Sequence, residues 1–102
     1  MKRRYVLSPQ AARDLVAIWR YIKKESSKEI ADRVESVIRG KCVHLAEFPD
    51  SGHWRSDLTA APVRFFSVYS YLIVYRPETR PLEIAAILHA HRDVAKILSS
   101  RV

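Results

Sequence analysis

The chain is poor in the residues that usually give a small protein a quick identity. It has one cysteine, Cys42, so no disulfide can form within it, which excludes a disulfide-stapled secreted scaffold and a Cys-pair metal knuckle. Its two glycines, Gly40 and Gly52, stand alone, which excludes a phosphate-cradling glycine loop and a glycine-flanked nucleophilic serine. With only five prolines besides, low-complexity and collagen-like chains are excluded as well. No apolar run approaches the ~18 residues of a membrane span. The basic start Met1-Lys2-Arg3-Arg4 leads only to Tyr5-Val6-Leu7 before Ser8-Pro9, too short for the apolar core of a secretion signal. The expectation is a soluble, cytoplasmic domain with no membrane partner.

What is present suits one compact domain over residues 1–102: 48% of the chain is hydrophobic, enough for a core. Lys and Arg number 18 against 11 Asp and Glu, a net charge of +7, and the excess is concentrated in the first half. Such a balance points to a polyanionic or acidic partner without choosing among nucleic acid, anionic membrane and protein.

Arg4 to Leu7 is β-branched and aromatic, a short first strand. Ser8 then caps a helix, with Pro9 at the first helical position, where its missing N–H costs nothing. Leu15, Ile18, Trp19 and Ile22 recur at helical spacing on one face, which reads as packing against a second helix. Ser26 with Glu29 three residues on predicts the capping box of that second helix, whose apolar period runs from Ile30 to Phe48 and stops at Pro49. Gly40 sits inside it without evident reason. Pro49 to Gly52 is a turn, and residues 53–62 form an irregular loop.

The period then changes from 3.6 to 2. Residues 63–68 and 71–75 predict a hairpin joined by Tyr69-Ser70, and Leu82 to Leu88 a third strand buried on both faces. Val94 to Leu98 predicts a short terminal helix. The order β-α-α-β-β-β plus this helix is an α+β fold, a two-helix hairpin packed on a mainly antiparallel sheet.

Two constellations invite chemistry. His89 and His91, at i and i+2, point the same way as metal ligands do, with Asp93 or the distant His53 as a third; the simpler reading is a strand end running into a polar cap, and no metal or other cofactor is expected. Cleaving RNA through its own 2′-hydroxyl needs a base, an acid and cations for the phosphorane charge. His89, His91, Arg92, Arg64, Arg76, Tyr71 and Tyr75 are of the right types, though they also suit packing tyrosines and solvating arginines. Phe65, Phe66, Tyr69, Tyr71 and Tyr75 are the right types to stack bases, but strand alternation splits them between two faces. Cys42 reads as a small buried hydrophobe.

The blocks Leu7-Ser8-Pro9-Gln10-Ala11-Ala12-Arg13-Asp14-Leu15 with Ile18 and Tyr21-Ile22, then Leu45, Pro49 and Gly52, then Val63-Arg64, Tyr71-Leu72-Ile73-Val74-Tyr75 and Ile87-Leu88-His89-Ala90-His91-Arg92-Asp93 follow one another in a familiar order. In that order and spacing the chain resembles ParE-type toxins of the RelE/ParE toxin–antitoxin superfamily. The resemblance implies the toxin of a bacterial type II module, held in a hetero-oligomer by a cognate antitoxin that wraps it. Many ParE-type members poison DNA gyrase, whereas RelE-type members cut messenger RNA on the ribosome. Leu72 stands where the nucleases carry an essential arginine, and Val63 and Phe65 stand where RelE has lysines. An apolar side chain cannot stabilise phosphorane charge, so the resemblance favours a non-enzymatic gyrase inhibitor.

On this reading Arg64, Tyr75, His89 and Arg92 contact the target, and Arg92-Asp93 forms an internal ion pair. Leu15, Trp19, Phe66 and Tyr71 contact the antitoxin. The alternative, a ribosome-dependent endoribonuclease, would place catalysis on His89, His91, Arg92, Arg64 and Tyr75. A further alternative is an inactive homologue that binds antitoxin and does nothing else.

Overall fold

The computed structural model describes residues 4–102, so the basic start Met1-Lys2-Arg3 lies outside the described residues. Its elements run β1 (Tyr5–Leu7), α1 (Pro9–Glu25), α2 (Lys28–Glu47), a single 3₁₀ turn (Pro49–Ser51), β2 (Arg64–Val68), β3 (Tyr71–Arg76), β4 (Leu82–His89) and α3 (Val94–Ser99). The four strands form one sheet in the order β1-β4-β3-β2, with β1 parallel to β4 and the other pairs antiparallel. This is the expected α+β architecture. Among the described residues no helix is long and apolar enough to cross a membrane.

The helix boundaries follow from their caps. Ser8 Oγ accepts from the Ala11 N–H at 3.1 Å and donates to the Ala85 carbonyl at 3.2 Å, so one hydroxyl starts α1 and ties it to β4. The second cap differs from expectation by one residue. Helix α1 runs through Glu25, and the Ser26 N–H bonds back to the Ile22 carbonyl at 2.8 Å, so Ser26 ends α1. Ser27, in extended conformation, is left to cap α2 and accepts from Ile30 N–H at 3.1 Å. Glu29 therefore falls one position early for a capping box and acts instead as a first-turn anion favouring the helix dipole.

Residue-by-residue alternation does not hold along β4. The register against β3 slips between Val74 and Tyr75: Val74 pairs with Ala86 but Tyr75 with Ile84, leaving Ala85 as a bulge. The bulge puts Leu82, Ile84 and Ile87 on the helix side, and Ala86 and Leu88 on the other. Two cores result. One lies between the sheet and the helix hairpin, with Ala11, Leu15, Ile38, Cys42 and Leu45 against Ile73, Tyr75 and Ile84. The other lies on the opposite face, where Val63, Phe65, Leu72, Val74, Ala86 and Leu88 are roofed by Val94 and Leu98 of α3 and by Leu58 and Ala61 of the irregular loop. Both faces of the sheet are thus dry, which is why β4 is apolar almost throughout.

Candidate functional site

The residues singled out from sequence fall into two groups at opposite ends of β3. Arg64 opens β2 and pairs with Tyr75 near the end of β3, while Tyr71 opens β3 and pairs with His89 at the end of β4. Tyr71 and Tyr75 lie four residue steps apart along the strand, about 13 Å at ~3.3 Å per residue. The five residues of the nuclease alternative therefore do not converge on one point.

At the first end, Tyr75 is fully buried. Its hydroxyl donates to the Pro49 carbonyl at 2.6 Å and accepts from the Gly52 N–H at 2.8 Å, which fixes the turn after α2 against the sheet. Burial first of all pushes its ionisation above the ordinary 10.0, so the hydroxyl stays a donor at neutral pH. Arg64 hangs on the same turn: Nη1 donates to the Gly52 carbonyl at 2.9 Å, and Nη2 lies 3.5 Å from Asp50 Oδ1. Its guanidinium stacks 4.4 Å from the ring centre of Trp54. Asp50, Trp54 and Arg64 border a mixed-charge cleft of ≈ 450 Å³ that also includes Glu78 and Arg80. Tyr75 has no surface to offer a target; it works by holding the turn that holds Arg64.

At the second end, the Tyr71 and His89 rings meet edge-on at 5.4 Å, and the His91 ring lies 4.9 Å from that of His89. The His91 N–H donates to His89 Nδ1 at 3.1 Å. A backbone N–H can only donate, so Nδ1 is unprotonated and the neutral ring carries its proton on Nε2. That tautomer leaves Nε2 a hydrogen-bond donor, with the Nδ1 lone pair already engaged by the His91 N–H. Among the described residues no three His, Cys, Asp or Glu side chains gather for a metal ion, and His53 instead bridges Phe65 at the Arg64 end of the sheet. Asp93 is not the ion-pair partner of Arg92. Its Oδ1 accepts from Lys96 N–H at 3.2 Å and caps α3, leaving the exposed Arg92 unpaired among the described residues.

Between this end of the sheet and α1 runs a groove of ≈ 360 Å³, floored by Ala17, Ile18 and Ile87 and edged by Tyr21, Tyr71, His89 and Arg92. Asp14 lies at its base and is already engaged. It accepts the Ile87 N–H at 3.0 Å, filling the edge of β4 beyond the reach of β1, and takes a two-pronged pair from Arg101 at 2.6 and 2.9 Å. Sequence reasoning missed this pair. Its partners stand 87 residues apart with nothing local to link them.

The residues expected to meet an antitoxin divide. Leu15 is 2% exposed inside the helix-side core, so its side chain is unavailable to a partner. Trp19 is half-buried, its indole N–H donating to Asp32 at 2.8 Å, as an inter-helix residue should. Phe66 and Tyr71 are half-buried at the margin of the same core.

Comparison with known proteins bears on the whole arrangement. A family model described as "ParE toxin of type II toxin-antitoxin system, parDE" matches residues 5–94, from β1 to the first residue of α3. A solved structure described as the chromosomal ParDE TA system from P. aeruginosa superposes with a TM-score of 0.69 at 20% identity, over 83% of this chain and 92% of that chain. No curated protein matches by sequence.

Proposed function

The chain belongs to the ParE family of toxins of type II toxin–antitoxin systems, and from that membership we propose that it inhibits DNA gyrase in the cytoplasm when freed from a cognate antitoxin. The supporting observation is the sealed second face of the sheet. Val63 is 1%, Phe65 3% and Leu72 8% exposed beneath α3. An RNA-cleaving member would need cations at these positions, open to a scissile phosphate. An apolar roof keeps phosphate out and supplies nothing to its charge. The remaining candidates, Arg64 and Tyr75 at one end and His89, His91 and Arg92 at the other, are too far apart to share one phosphodiester.

On this reading the protein acts by binding and carries out no bond-breaking step. Arg92 and His89 present donors at one end of the sheet, Arg64 with the stacked Trp54 presents a rigid cation at the other, and Tyr75 is a positioning residue for Arg64. The antitoxin covers the half-buried aromatics Trp19, Phe66 and Tyr71. The ParDE description of the P. aeruginosa structure names a toxin–antitoxin pair, which fits a partner of this kind.

The decisive experiment adds purified protein to gyrase supercoiling and DNA-cleavage assays, with the product of the adjacent reading frame as release control. Inhibition with trapped cleaved DNA, reversed by that protein, is expected. A null result from folded protein, together with messenger RNA cut on translating ribosomes, would replace this reading with the endoribonuclease.

A further inference from the structure

Among the described residues Tyr69 alone has a left-handed backbone, with φ 54° at the first position of the two-residue turn from β2 to β3. Glycine and asparagine take that conformation readily, whereas a tyrosine Cβ crowds the carbonyl that follows it. Nothing inside the protein accounts for the ring. It is 64% exposed, belongs to neither core and joins none of the aromatic pairs among the described residues. Backbone strain that the packing does not require gathers where a side chain acts on something outside the fold.

The surroundings of the tip say what that something is. Of the strand aromatics suited to stacking bases, Phe65 and Tyr75 are buried and Phe66 and Tyr71 half-buried, so Tyr69 is the one that offers its ring to a partner. The turn after β4 lies beside it, tied by the Ala90 N–H donating to the Ser70 carbonyl at 2.8 Å. That turn carries the exposed His91 and Arg92, and the exposed Lys96 follows in the first turn of α3. Among the described residues neither Arg92 nor Lys96 has a carboxylate partner. Asp93, between them in sequence, is held on the Lys96 N–H as the cap of α3. The tip itself is flanked by Ser67, Ser70 and Ala90, all exposed and small, which gives a protein partner little apolar area to bury. It does offer what a nucleic-acid strand uses, a π-face for a base and cations for the phosphates beside it. A duplex keeps its base faces within the stack, so the partner that fits is an unpaired strand.

We propose that Tyr69 and the turn after β4 form a contact for unpaired DNA, in which the Tyr69 ring stacks on a base while Arg92, His91 and Lys96 meet the phosphates around it. That the strand is one opened by gyrase rests on the gyrase reading above; the contact itself rests on the surface. The left-handed turn holds the ring out at the tip of the hairpin, and the Ala90–Ser70 bond holds the cations at a fixed place beside it.

The test titrates the purified protein into a labelled oligothymidine strand at several salt concentrations, reads fluorescence anisotropy, and repeats the gyrase cleavage assay with each variant. The variants are Tyr69→Gly, Tyr69→Asn, Tyr69→Phe, Arg92→Gln and, on exposed α2, Lys41→Gln. Tyr69→Gly and Tyr69→Asn both accept the positive φ, so they are expected to melt no lower than wild type yet to bind the strand about tenfold or more weakly. Tyr69→Phe keeps the ring and Lys41→Gln lies elsewhere, so each stays within about twofold of wild type. Arg92→Gln lowers the slope of log affinity against log salt by about 0.7, one phosphate's share on a single strand. No binding by the wild type, or binding that every Tyr69 variant leaves unchanged, overturns the proposal and leaves the gyrase reading to its own assay. If Tyr69→Gly loses gyrase inhibition while holding the strand, the tip meets protein and the proposal is overturned. A clear preference for the matching ribo-oligonucleotide overturns the assignment to DNA. Strand binding that depends on Tyr69, in a protein without effect on gyrase, removes the gyrase reading and keeps the contact.

Discussion

Gly52 joins the turn after α2 to the sheet, and replacing it with alanine tests the frame that holds Arg64. Its backbone angles, φ −81° and ψ 178°, suit any residue, so any penalty must come from contact. A Cβ built there would lie 2.5 Å from the Tyr75 hydroxyl, 2.8 Å from Tyr75 Cε1 and 2.9 Å from the Phe65 carbonyl oxygen. None of the three can yield freely. The ring is fully buried, its hydroxyl is bonded to Pro49, and Phe65 is bridged to His53 in both directions at 2.8 Å. Overpacking of this kind costs ~1–3 kcal/mol, and a buried amide left without its partner ~1–3 kcal/mol more. Gly52→Ala should therefore destabilise the protein by about 2–6 kcal/mol and lower the urea midpoint by more than about 1 M with the slope unchanged. Tyr75→Phe removes the 2.5 Å contact while stranding the Gly52 N–H, so it is destabilising alone. Combined with Gly52→Ala it should cost less than the sum of the two, by about 1 kcal/mol, because the hydroxyl the Cβ would strike is gone. A single-variant loss below about 0.5 kcal/mol, or strict additivity in the cycle, would refute the proposed contact.

Gly40 is the opposite case: an added Cβ meets nothing within 4 Å, so Gly40→Ala on exposed α2 should raise stability by about 0.5–1 kcal/mol in the same denaturation assay. Arg101→Ala leaves the Asp14 carboxylate with the Ile87 N–H alone, whereas Asp14→Ala frees that N–H and strands Arg101 as well. Asp14→Ala should thus be the more destabilising of the two, by up to about 3 kcal/mol for a pair so largely buried, and hydrogen exchange at Ile87 should quicken in it. Burial raises the ionisation of Tyr71 and Tyr75 above 10.0. The folded state therefore holds these protons more tightly, and stability should fall as pH climbs past 10.0 and the unfolded chain ionises first. Absorbance titration of the phenolates should show two of the five tyrosines lagging the rest. Burial also pushes the Cys42 thiol to about 12, so a thiol reagent at pH 8 should label it only as fast as the protein unfolds.

Local signals carried most of the fold. Ser8 and Pro9 fix the start of α1, the 3.6 period of Leu15, Ile18 and Ile22 sets its inner face, and the two-residue link at Tyr69-Ser70 dictates the hairpin. Each depends on residues within a turn or two of one another, which is the range over which sequence spacing reports geometry. The site was less legible because its determinants are long-range. Alternation alone would keep Ala86 and Leu88 in phase with Leu82 and Ile84. The bulge at Ala85 breaks that phase, and what enforces it is contact across strands and with Ser8. Arg64 and Arg92 look interchangeable as arginines near strand ends, yet the antiparallel register sends them to opposite ends of the sheet. Asp14 and Arg101 have no pattern in common until α3 turns the tail back across the sheet.

The loop over residues 53–62 shows the same limit from the other side. It has no period because it makes no regular element, but its Leu58 and Ala61 help roof Val63, Phe65 and Leu72. Those three positions tie the fold to the functional reading. A strand face that carries cations must stay wet, since an arginine or lysine under an apolar lid would have to give up its hydration without a partner. The apolar residues at 63, 65 and 72 permit the lid, and the lid in turn closes the face to a phosphodiester. Restoring charge at Leu72 alone should then destabilise the protein without creating cleavage, because the new cation would lie beneath Val94 and Leu98 rather than beside a substrate.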